Sequence, residues 1–153
     1  DFSHPVAKLT EMYETAVNGA DVVVGSRYVG NVVNIVNWPM GRLLMSYYAS
    51  KYVRCITGLK VADTTAGFVC YRRQVLETIE FDKIRFKGYA FQIERKFTAA
   101  QCGFTIKEVP IVFFNRVEGT SKMSGGIFSE ALFGVVQLKI SSWFRHYPQK
   151  PQH

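Results

Sequence analysis

The stretch Asp21-Val22-Val23-Val24-Gly25 decides the fold. Three consecutive β-branched residues between an Asp and a Gly make a short continuous apolar run, the pattern of a strand buried on both faces. Upstream, Val6, Leu9, Met12, Tyr13, Ala16 and Val17 recur at helical spacing from Pro5 to Asn18, and Asn18-Gly19 supplies the stop. A helix feeding a doubly buried strand predicts an α/β fold. Downstream, residues 29–38 carry Gly30, three Asn and Trp38 before Pro39, and read as an irregular loop. A helix is expected from Met40 to Ile56, ended by Gly58, with Arg42 and Ser46 four apart on one face. Gly67 to Tyr71 reads as a second strand, Arg73 to Ile79 as a short helix, and Tyr89 to Gln101 as a helix stopped by Gly103. Thr105 to Phe114 is a strand interrupted by Pro110, which argues for an edge or a bulge. A polar glycine-containing loop follows over 115–126, then a last helix from Ile127 to Phe144.

The chain has 153 residues, the length of one domain, and 48% hydrophobic content is enough for an ordinary core. No apolar run approaches the roughly 18 to 20 positions of a membrane-spanning helix, so no transmembrane helix is expected. The start lacks an initiator Met, a basic n-region and an apolar h-region, and reads as an internal cut. Cys55, Cys70 and Cys102 are an odd number at spacings that match no metal site, which fits a reducing compartment. His4, His146 and His153 show no ligand spacing either. A net charge of +7 favours an anionic partner: nucleic acid, an acidic membrane surface or a phosphorylated substrate.

Five groups of residues carry a more specific signal. Asp1-Phe2-Ser3-His4-Pro5 opens the chain, and Gly25-Ser26-Arg27-Tyr28 leads on to Asn37-Trp38-Pro39, Arg42 and Ser46. Asp63-x-Thr65-x-Gly67-Phe68 precedes Tyr71-Arg72-Arg73, and Gly88-Tyr89-x-Phe91-Gln92-x-Glu94 comes next. Glu108-Val109-Pro110-Ile111 then precedes Arg116 and Gly119-x-Ser121-Lys122-Met123-Ser124. In joint order and spacing these resemble the family-2 glycosyltransferases that act on polyprenyl phosphate, most closely the dolichol-phosphate mannose synthase group. The resemblance implies the C-terminal portion of a GT-A mixed-sheet domain over residues 1–124. Residues 125–144 would form an amphipathic C-terminal helix, and 145–153 a polar tail.

What the resemblance implies for the site can be set beside the residues' own chemistry. A diphosphate leaving group calls for a hard cation, Mg²⁺ or Mn²⁺, bound by carboxylate oxygen. Asp1 is the expected ligand and Ser3 a second; on residue type alone the helix cap is the favoured reading of Ser3. Arg27, Arg42 and Ser46 match the family's acceptor-phosphate contacts, suited to the planar, permanently charged guanidinium. Isolated, each Arg would be an ordinary surface charge. Arg116 and Lys122 are expected to hold anionic phosphate as their loop closes, with an ordinary surface loop as the alternative. Asp63 is expected to orient or contact sugar, and Gln92 and Glu94 to be acceptor-side or structural polar groups. A buried ion pair with a nearby Arg is the competing reading of both carboxylates.

The leading expectation is inverting transfer of mannose from GDP-mannose to a dolichyl or undecaprenyl phosphate, by a peripheral enzyme at the cytoplasmic membrane face. A homo-oligomer or a membrane-anchor subunit is a possible partner arrangement. Within the same fold a UDP-sugar such as UDP-glucose is the rival donor. A noncatalytic basic module binding lipid phosphate or nucleic acid is the rival class, but no nucleic-acid recognition motif is present and no nucleic-acid partner is expected. The last helix, with Lys139, Arg145 and Lys150 near its end, either lies on a membrane or packs on the rest of the domain.

Overall fold

A computed structural model describes residues 4–31, 33–80, 84–114 and 125–151. Helix α1 (Lys8–Val17) leads into β1 (Val22–Ser26), followed by a 3-10 turn at Val29–Asn31 and the two-residue β2 (Ile35–Val36). Then come α2 (Met40–Thr57), β3 (Val69–Tyr71), α3 (Arg73–Thr78), α4 (Gly88–Gln101), β4 (Ile106–Pro110), β5 (Phe113–Phe114) and α5 (Gly125–Ser142).

Strand β1 is central in a mixed sheet of order β3-β1-β4. It runs antiparallel to β3, with Val22 opposite Tyr71, and parallel to β4, from Val22–Ile106 to Ser26–Pro110. All five β1 residues are buried. Alternation explains this, because successive side chains point to opposite faces. Val22 and Val24 join the larger core with Val53 of α2, Ile93 and Phe97 of α4, and Val135 and Leu138 of α5. Val23 faces Met12 and Ala16 of α1 and Val109 of β4. Each fully buried Val stabilises the fold by about 1.5 to 3 kcal/mol relative to exposure. Gly25 has a packing reason: a Cβ there would lie 2.6 Å from Phe68 Cδ1 and 3.2 Å from the Phe68 carbonyl oxygen.

The mixed α/β class is as expected, and among the described residues no helix is long and apolar enough to cross a membrane. Gly58 ends α2 with φ of 78°, a left-handed residue whose N–H donates to the Arg54 carbonyl. Two readings need correction. The expected strand 105–114 is two strands in two sheets: Ile111 makes the last bond to Ser26, the chain turns, and Phe113 donates to the Asn34 carbonyl. Its partner, β2, lies in the stretch read as irregular loop, pairing Ile35 with Phe113 and Val36 with Phe114 in parallel. On α1, only Met12 and Ala16 of the apolar positions named above are buried, whereas Leu9, Tyr13 and Val17, and Val6 just before the helix, are exposed.

The C-terminal segment is tied to the core. Tyr147 is buried against Phe97, the Lys150 N–H donates to the Cys102 carbonyl at 2.7 Å, and Lys150 Nζ meets the buried Asp21 carboxylate at 2.7 Å. Arg145 lies 3.6 Å from Glu94, and Lys139 Nζ is 3.5 Å from the Thr57 carbonyl. The three basic residues near the end of α5 therefore face protein partners, while Phe133, Trp143 and Phe144 are exposed.

Candidate active site

The carboxyl end of β1 delivers Arg27 into a cluster of charge and aromatic rings. Its Nε donates to Asp63 Oδ2 at 2.6 Å and its Nη2 to Asp63 Oδ1 at 2.7 Å, a two-pronged pair. The Arg27 backbone N–H donates to the same carboxylate at 3.0 Å, and Nη2 reaches Thr65 Oγ1 at 3.0 Å. Asp63 is 0% exposed. Burial by itself disfavours the Arg27 charge, but the hydrogen bonds and charge of Asp63 outweigh it and raise the guanidinium pKa above its ordinary value. Of the two readings of Asp63, the ion pair is the one present.

Trp38, just before α2, is shared by two guanidinium groups: Arg42 lies 4.1 Å from its ring centre and Arg27 5.5 Å. Arg42 Nε and Trp38 Nε1 are buried donors with no acceptor among the described residues. One turn along α2, Ser46 is buried and accepts from the Tyr28 hydroxyl at 2.8 Å. Burial pushes the Tyr28 phenol pKa up, so it remains a neutral donor. Arg27, Trp38, Ser46 and Thr65 form the polar end of a cavity whose walls are Ala49 and Val53 of α2, Ile93 of α4, and Ala131, Leu132 and Val135 of α5. Its volume is about 60 Å³, and it is partly open to solvent.

The turn carrying Asp63 is gripped from two sides. Glu108 of β4 accepts from the Ala62 and Asp63 N–H groups at 2.8 and 3.1 Å. Lys96 of α4, wholly buried, donates to the carbonyls of Thr64 and Ala66 at 3.1 and 2.6 Å. Sequence reading passed over Lys96. The available signal was its position three residues after Ile93 and one before Phe97, on the apolar face of α4.

Arg27 and Ser46 thus line one cavity, Asp63 is paired with Arg27, and Arg42 is stacked on the lining residue Trp38. Gln92 lies nearby, its Oε1 buried and without a partner among the described residues. Glu94 is directed elsewhere: it accepts from the Arg85 and Phe86 N–H groups at 3.0 and 3.1 Å, which makes it a structural clamp. Asp1, Ser3, Arg116 and Lys122 lie outside the described residues. Among the described residues no group of three acidic, His or Cys side chains is arranged to hold a metal, and Asp63, Glu94 and Glu108 are all engaged by protein donors.

No family model matches the chain. Curated proteins do. The polyprenol monophosphomannose synthase of Mycolicibacterium smegmatis is 44% identical over 138 residues, 90% of this chain and 51% of that protein. The undecaprenyl-phosphate mannosyltransferase of Micrococcus luteus is 44% identical over 137 residues, 90% of this chain and 56% of that protein. The chain spans about half the length of these relatives. Both relatives are glycosyltransferases, and the mixed sheet flanked by helices is consistent with part of a GT-A domain. Over nine-tenths of its length this chain is homologous to the polyprenyl-phosphate mannosyltransferases, the family that its motifs resemble.

Proposed function

We propose that the complete polypeptide carrying this chain transfers mannose from GDP-mannose to a polyprenyl phosphate. The observation that carries this reading is the cavity: apolar walls from α2, α4 and α5 end at Arg27, Ser46 and Thr65, beside an Arg42 Nε that has no acceptor among the described residues. That polarity fits a lipid whose one charged end is a phosphate monoester.

Near neutral pH such a monoester is largely dianionic, with a second pKa of about 6, so it is a nucleophile without a general base. A phosphate oxygen attacks the anomeric carbon, the bond from that carbon to the diphosphate oxygen breaks, GDP departs, and the anomeric configuration inverts. Asp63 and Thr65 hold the Arg27 guanidinium in place, so it meets the incoming phosphate without reorganising. Arg42, stacked on Trp38, supplies the second positive charge against repulsion between two anionic substrates. Mg²⁺ or Mn²⁺, with Asp1 and Ser3 as ligands, would neutralise the departing diphosphate, and Arg116 and Lys122 would close over it. The exposed Phe133, Trp143 and Phe144 support a peripheral position at a membrane surface, for which the family resemblance implies the cytoplasmic face.

The test is an assay of the complete polypeptide with Mg²⁺ or Mn²⁺, polyprenyl phosphate, and either GDP-mannose or UDP-glucose. Lipid-linked mannose is expected, lost in Arg42→Ala. Glucose transfer in its place would overturn the donor assignment, and full activity of Arg42→Ala would remove that residue from the acceptor site.

A further inference from the structure

Lys96 is 0% exposed, lies outside the cavity lining, and has no part in the reaction described above. We infer that Lys96 is a positioning residue for Arg27: its ammonium fixes the Thr64–Ala66 backbone that carries the groups holding the guanidinium. Lys96 Nζ donates to the carbonyls of Thr64, Ala66 and Gln92 at 3.1, 2.6 and 3.3 Å. Glu108 anchors the preceding two N–H groups, so the turn 62–66 is pinned by one charged group from α4 and one from β4. On that turn, Asp63 and Thr65 are the side chains that hold Arg27. A chain of direct contacts therefore runs from Lys96 through the turn to the guanidinium.

The residue type has a chemical reason. Three carbonyls converge on one point, and an ammonium offers three donors on a single nitrogen there. Burial lowers the Lys96 pKa from 10.5 to about 7; the Asp63 and Glu108 carboxylates favour the charge, and Arg95 and Arg27 oppose it. Neutral Lys96 has two donors for three carbonyls and turns a lone pair toward one of them. The turn then loosens, and the site loses one positive charge.

The test has two arms, since the activity arm rests on the proposed transfer and the other does not. In the first, the Arg27 Nε–H resonance of the complete polypeptide is followed by nitrogen NMR from about pH 6 to about 8.5. A titration centred near pH 7 is expected in the wild type and none in Lys96→Met. In the second, the acceptor KM rises about tenfold in Lys96→Met, as for loss of one charge-assisted hydrogen bond, with kcat within about twofold. Over the same pH interval the ratio of the variant KM to the wild-type KM falls as Lys96 loses its proton, the acceptor's own titration near pH 6 being common to both proteins. A merely structural Lys96 would lower the amount of active protein and leave both pH profiles alike. An Arg27 resonance with the same shift and the same pH profile in wild type and Lys96→Met would overturn the inference, and so would equal acceptor KM in the two proteins. If Lys96→Met does not fold, the wild-type titration decides. If no mannose is transferred, the proposed function fails and the NMR arm still decides the role of Lys96.

Discussion

Breaking the Arg27–Asp63 pair one partner at a time should cost far more than removing both charges together. Side-chain exposure is 11% for Arg27 and 0% for Asp63, so neither charge is well solvated when the other is lost. Removing one partner of such a pair costs about 3 to 5 kcal/mol, because a buried charge is left uncompensated. Arg27→Met falls at the upper end: among the described residues Asp63 then keeps only the residue-27 N–H at 3.0 Å and the Thr65 hydroxyl at 3.4 Å. Asp63→Asn falls at the lower end, since an amide oxygen can still accept that N–H. The double variant Arg27→Met/Asp63→Asn carries no charge and keeps that backbone bond. It is expected within about 1 kcal/mol of wild type, giving a coupling of at least about 5 kcal/mol. Urea unfolding of the complete polypeptide at neutral pH, followed by circular dichroism, measures all four corners of the cycle. The double variant should fold and transfer no mannose. A cost below about 1 kcal/mol for Arg27→Met would class the pair with exposed salt bridges and refute the argument that Asp63 locks the guanidinium.

Three further outcomes follow from the packing and the charges. Gly25→Ala should destabilise by about 1 to 3 kcal/mol, since one of the atoms crowding the new Cβ is the Phe68 backbone oxygen, which no rotamer change can move; an unchanged urea midpoint would show that the sheet opens freely there. Lys150→Met should cost about 1 kcal/mol, and less in high salt, because Lys150 is partly exposed and Asp21 retains the Thr105 N–H at 2.8 Å. Lys96 binds its proton more weakly when folded, so between pH 7 and 10.5 the unfolded chain holds the extra proton and stability rises with pH. Denaturation across that window should show this rise in the wild type relative to Lys96→Met, and parallel curves would contradict it.

Periodic signals carried most of the fold. The Val22–Val24 run, the spacing along α2 and Gly58 at its end specify elements whose bounds depend on local chemistry alone. Strand β2 was not legible, because two residues show no alternation and Ile35 finds its partner only where the chain turns after the Ile111 bond to Ser26 and carries Phe113 across. The inward turn of Lys150 was equally invisible, since its partner Asp21 lies 129 residues away. In the site, residue types singled out Arg27, Arg42, Ser46 and Asp63, but not which of them contact one another. The Arg27–Asp63 pair is a tertiary contact across 36 residues. Lys96 was passed over because a helical Lys ordinarily reaches water; here three carbonyls of the adjoining turn and its own helix replace it.

The central claim is that the cavity beside Trp38 recognises the phosphate end of a polyprenyl lipid. Its most direct measurement compares the affinity of the complete polypeptide for polyprenyl phosphate and for the corresponding polyprenol, in wild type and in Arg42→Ala. The phosphate should bind at least about tenfold more tightly than the alcohol in the wild type, as for a charge-assisted hydrogen bond, and most of that preference should vanish in Arg42→Ala. Equal affinity for the two lipids, or a preference untouched by the substitution, would contradict the account.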